Sequence, residues 1–130
     1  MRIEFVTTVK SAALAKTLVP TIQVVEFETV LAKWSVALEK IEEIQLSIEV
    51  RDMIPEGAYF TDSAGVHHIV LSPRAFESQT TLNKVIAHEL RHLWYTLKLG
   101  RNIGRAHHCW EELSCNRVEK THQHTNFIIM

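Results

Sequence analysis

The chain has 130 residues, 46% hydrophobic and 22% charged, which fits one globular domain over residues 1–130 with a core of its own. A net charge of −1 with the eight histidines neutral gives no electrostatic reason to expect nucleic acid or an anionic membrane as a partner. No apolar run approaches the length of a membrane span, and residues 1–6 lack the apolar core of a signal peptide, so a cytoplasmic site of action is expected. Cys109 and Cys115, six apart and in no C-x-x-C pair, are expected as reduced thiols.

In chain order, residues 11–18 read as a helix closed by Pro20. A longer helix is expected over residues 21–43, where Val24, Phe27, Leu31, Trp34, Leu38 and Ile41 recur at steps of three and four. The period then changes: Leu46, Ile48 and Val50 alternate with Ser47, Glu49 and Arg51 as in a half-buried strand. Residues 52–57, with Pro55 and Gly57, read as a loop, and two apolar runs around a turn at 62–65 predict a hairpin of residues 58–61 and 66–71. Ser72-Pro73 ends it. A helix follows, with Ser78, Thr80 or Thr81 as N-cap, Leu82, Val85, Ile86, Leu90, Leu93 and Leu97 as its apolar stripe, and Gly100 as its stop. Residues 101–108 read as a loop and 110–121 as a last helix. The tail Phe127-Ile128-Ile129-Met130 is either docked or frayed.

The chemistry concentrates at His88-Glu89-Leu90-Arg91-His92. Residues four apart on a helix lie one above the other, so both imidazoles can reach one metal ion while Glu89 stands beside it. This is the H-E-x-x-H pattern of zinc metallopeptidases. There a zinc ion lowers the pKa of its water toward about 7 and the glutamate acts as general base. Catalytic zinc usually takes three protein ligands, so a third is needed.

The order of elements resembles the minimal core of zincin metallopeptidases. That implies a small α+β domain: a short, twisted, mainly antiparallel sheet with N-terminal helices, an active-site helix and a C-terminal ligand-bearing helix. It also implies an edge strand along the cleft, for which residues 66–71 are the candidate, holding an extended peptide by backbone pairing. The metzincin continuation is absent, because Tyr95 and Lys98 stand where its Gly and His would be.

Residues 110–119 resemble the glutamate helix of gluzincins and, more loosely, that of ImmA/IrrE-type metallopeptidases. By that resemblance Glu112 is the third metal ligand and Asn116, four residues on, hydrogen-bonds a ligand histidine. His107 or His108 competes for the role through a partial resemblance to SprT-like peptidases, and Glu111 and Glu119 stay in play. Arg91 is expected to point away from the metal and to pair with an acid; Tyr59 or Tyr95 is a candidate donor to an oxyanion. His67 and His68 must face opposite sides of their strand.

The expected activity is zinc-dependent hydrolysis of a peptide or protein substrate, with Zn2+ on His88, His92 and Glu112 and Glu89 as general base. The alternatives are a catalytically inactive zincin-fold binding or regulatory module, and a SprT-like protease with His107 as third ligand. The oligomeric state is not legible.

Overall fold

The computed structural model describes residues 1–7, 23–100 and 105–128, with side chains for all of these except 7 and 105–110. The helix expected over residues 11–18 lies outside the described residues. The elements are β1 (Arg2–Thr7), α1 (Val24–Lys33), α2 (Leu38–Glu43), β2 (Gln45–Val50), β3 (Gly57–Thr61), β4 (His67–Leu71), a 3-10 turn (Pro73–Phe76), α3 (Gln79–Leu99) and α4 (Arg105–Thr121). This is the expected α+β class. None of the described helices is long and apolar enough to cross a membrane.

The sheet corrects the expectation in two ways. Its order is β1-β2-β4-β3, with β1/β2 and β2/β4 parallel and only β3/β4 antiparallel, so it is mixed and not mainly antiparallel. Parallel neighbours need a crossover between them, and α1 and α2 lie in the connection from β1 to β2. The second correction concerns the edge. The hairpin inserts β4 beside β2, which leaves β3, and not residues 66–71, as the edge strand on that side among the described residues.

The helix expected over residues 21–43 is two helices. Ser35 takes the left-handed conformation, φ 65°, just past the end of α1. There Ser35 N–H donates to Ala32 O at 3.0 Å and Val36 N–H to Leu31 O at 3.1 Å, the paired bonds that close a helix C-terminus, with Val36 buried over the joint. The end of α1 is tied to α3, since Trp94 Nε1 donates to Trp34 O at 2.8 Å and Lys98 Nζ to Ser35 O at 3.0 Å.

α3 begins where Ser78 Oγ accepts from Thr81 N–H at 3.0 Å and stops at Gly100, φ 80°. Its stripe of Leu82, Val85, Ile86, Leu90 and Leu93 is buried among Leu46, Ile48, Ile69 and Leu71 of the sheet and Phe27 and Leu31 of α1. The tail is docked as far as Ile128. Phe127 is fully buried with its ring 4.9 Å from that of Phe27, and its carbonyl accepts from Gln23 N–H at 2.7 Å. Truncating an aromatic core residue typically costs about 3–5 kcal/mol, so this pair anchors the end of the chain near the start of α3.

Registered neighbours share a face, which puts Gly57, Tyr59, His67, Ile69 and Leu71 on the helix side of the sheet. His68 and Phe60 face the other way, stacked at 4.5 Å, and His68 Nε2 lies 2.8 Å from Asp62 Oδ2. The hairpin turn has its expected chemistry: Asp62 Oδ1 accepts from Ala64 and Val66 N–H at 2.9 and 3.0 Å, with Gly65 at φ 84°.

Candidate metal centre

A cleft of about 480 Å3 runs between β3 on one wall and His88, Glu89, His92, Glu111 and Glu112 on the other. Two helices supply the second wall. One turn of α3 separates His88 from His92, whose ring centroids are 5.1 Å apart. On α4, successive residues turn about 100°, so Glu111, Cys115, Glu119 and Glu112 fall within one sector of about 100°.

Every histidine nitrogen of the pair meets a carboxylate from α4. Glu112 spans both rings, with Oε1 2.7 Å from His92 Nε2 and Oε2 3.3 Å from His88 Nε2. The remaining nitrogens are held from behind. His92 Nδ1 lies 2.5 Å from Glu111 Oε1 and His88 Nδ1 lies 2.8 Å from Glu119 Oε1. Glu89 Oε1 is 4.0 Å from His88 Nε2.

This proton inventory points to a cation. A neutral imidazole carries one N–H, and carboxylates that bond Nδ1 place it there, leaving Nε2 as a bare lone pair. Those lone pairs would then face the lone pairs of Glu112. Protonating both rings relieves the contact, yet the carboxylates of Glu111, Glu112 and Glu119 still outnumber the two positive rings, with the Glu89 carboxyl beside them. His88, His92 and Glu112 could hold a divalent ion between them, and a donor set of two imidazoles and a carboxylate would suit zinc. Ligand atoms around tetrahedral zinc lie about 3.4 Å apart for bonds of about 2.1 Å; the 3.3 Å from Glu112 to His88 matches this, while the 2.7 Å from Glu112 to His92 is that of a direct hydrogen bond and would have to lengthen around an ion.

Glu89 feels the same crowding. Its side chain is 8% exposed, and burial first, then the charges of Glu112 and Glu119, push its carboxyl up to about 8. A cation beside it would reverse that pressure.

Gly57 brings β3 against this residue. A Cβ built there would meet Val85 Cγ1 at 2.6 Å and Glu89 Cγ at 3.2 Å, so only glycine admits the approach. Gly57→Ala is expected to destabilise by about 1–3 kcal/mol, read as a lowered denaturant midpoint with unchanged m-value. An unchanged midpoint would mean that the strand and helix are not in contact here.

The sequence-predicted residues divide clearly. His88, Glu89, His92 and Glu112 come together. Asn116 does not join them: it is exposed, about 40° beyond the acidic sector of α4, and Glu111 and Glu119 occupy the histidine nitrogens assigned to it. For His107 and His108, the backbone is already helical from Arg105, so the expected loop is shorter, and their side chains lie outside the described residues.

Tyr59 lines the cleft with its ring parallel to that of His92 at 6.3 Å, and its hydroxyl is 2.7 Å from His67 Nδ1. Tyr95 does not line the cleft; it packs edge-on against Trp94 at 4.9 Å beside Arg91. His122 is buried, edge-on to Trp34 at 5.3 Å, and His124 is exposed.

Sequence reasoning passed over Cys115. Its sulfur and one nitrogen of each of His88 and His92 lie within 4.8 Å of one another, a second set able to hold a metal. Its position four after Glu111 and four before Glu119 was the available signal. Burial first, then the charges of Glu112, Glu111 and Glu89, push its thiol up in the absence of a metal, while Glu112 already touches both rings. Glu112 and Cys115 are thus the two candidates for a third ligand, and Glu112 is in contact with both rings.

Comparison with protein-family models, curated proteins and solved structures gives no match to this chain.

Proposed function

We propose that this chain is a zinc-dependent peptidase in which His88, His92 and Glu112 hold the metal and Glu89 is the general base. The observation that carries the reading is the Glu112 carboxylate set across both Nε2 atoms while Glu111 and Glu119 hold both Nδ1 atoms. Bound zinc supplies Lewis acidity that polarises water and the scissile carbonyl. Glu89 takes the proton of the attacking water and hands it to the leaving nitrogen, from a buried position close to His88. The edge strand β3 offers backbone groups to an extended peptide, the role expected of residues 66–71. The buried thiol of Cys115 is compatible with a reducing compartment, and a cytoplasmic site of action is part of the proposal.

Glu111 and Glu119 are positioning residues here. Each fixes an imidazole tautomer and ring orientation, so Glu111→Gln or Glu119→Gln is expected to weaken zinc binding about 10–100-fold, measured by competition with a chromophoric chelator. Equal affinity in both variants would remove them from the site.

The test of function is cleavage of a peptide library followed by mass spectrometry. Cleavage that stops with a chelator and returns with zinc is the expected result. Bound zinc with no cleavage of any peptide or unfolded protein would replace the peptidase by a binding module.

A further inference from the structure

A second hollow, of about 330 Å3, lies between α3 and α4 and shares no lining residue with the cleft. Arg91 and Tyr95 line it from α3, and Leu113, Ser114 and Arg117 from α4. Arg91 was expected to meet an acid. Instead its guanidinium lies 3.8 Å from the ring centroid of Trp94 and 4.9 Å from that of Trp34, and its Nε donates to Ser114 Oγ at 3.0 Å.

The charge balance here is one-sided. Arg2 and Arg51 pair with Glu4 and Glu49, but among the described residues neither Arg91 nor Arg117 has an acidic partner. All 15 Asp and Glu side chains of the sequence lie within the described residues. The two guanidiniums feel each other's charge, which the Tyr95 hydroxyl beside Arg91 partly offsets.

We infer that the hollow between Arg91 and Arg117 binds the phosphate group of a phosphorylated ligand. Its polar groups are two guanidiniums and the hydroxyls of Ser114 and Tyr95. Because Ser114 Oγ already accepts from Arg91, its own hydrogen is free to donate. A surplus of donors around two positive charges suits a group with several anionic acceptor oxygens, and guanidinium forks match that geometry. The aromatic rings hold Arg91 before any ligand arrives, which reduces the ordering cost of binding. Leu113, 53% exposed, and the Tyr95 ring form an apolar wall that fits the organic arm of a phosphate monoester. Nothing in this inference rests on the peptidase reading.

Titrating the 15N-labelled full chain with phenyl phosphate, inorganic phosphate and phenol, followed by amide NMR, tests it. Saturable shifts around residues 91–95 and 113–117 are expected with phenyl phosphate and none with phenol. Arg117 is exposed, so Arg117→Ala should fold normally and bind phenyl phosphate about 10-fold more weakly or worse. Arg91→Lys, which keeps charge but loses the fork, should also weaken binding. Tighter binding of phenyl phosphate than of inorganic phosphate identifies a monoester as the ligand; equal binding supports the site with free phosphate as its occupant. No saturable shift with either, shifts confined to β3, or full affinity in Arg117→Ala would overturn the inference.

Discussion

Glu89→Gln is expected to keep its zinc and to lose peptide hydrolysis by about 10^2–10^4-fold, the usual worth of a positioned general base. The substitution preserves shape, which matters because Glu89 Cγ is packed where a Cβ on Gly57 would come within 3.2 Å. It also removes one of four crowded carboxyl groups, so folding stability should hold or rise. Burial and the charges of Glu112 and Glu119 already make ionised Glu89 costly without a metal. Zinc content and turnover on the same peptide must be measured side by side. Retained zinc with lost turnover separates a proton-transfer role from a ligand role; unchanged turnover would rule out Glu89 as the base.

The second large effect concerns the third ligand. Glu112→Gln should reduce zinc affinity by more than the roughly 10–100-fold that loss of an outer partner costs, because the change removes the anionic ligand itself. Cys115→Ser should leave zinc affinity and turnover near wild type, since the Glu112 carboxylate already lies against both rings. The opposite pattern, with zinc lost in Cys115→Ser and kept in Glu112→Gln, would transfer the site to His88, His92 and Cys115. Both are read in one chelator competition.

Local signals in the sequence were legible because they act within one element. The apolar stripe, Ser78 and Gly100 delimited α3, and Asp62 with Gly65 marked the hairpin turn. What was not legible depends on distant pairing. β1 is six residues whose alternation, Arg2-Ile3-Glu4-Phe5, is a short local signal, and its parallel partner β2 is reached across α1 and α2. The mixed character also rests on β4 lying parallel to β2, and which hairpin strand adjoins β2 cannot be read from the hairpin alone. The break after α1 was hidden because Ser35, and not glycine, takes the left-handed position.

The candidate site divides in the same way. His88, Glu89 and His92 lie on one helix, where spacing dictates geometry. Their partners lie on α4, and which face of that helix turns inward depends on its packing. That rotation brings Glu111 and Glu119 to the Nδ1 atoms and leaves Asn116 in solvent.

The central claim is that this cluster of imidazoles and carboxylates is built around one zinc ion, and the most direct measurement is metal content of the full chain purified without chelator. The account predicts about one zinc per chain, lost when His88 and His92 are both changed to alanine. A wild-type protein without zinc that also fails to bind added zinc, or zinc retained in the double variant, would contradict it.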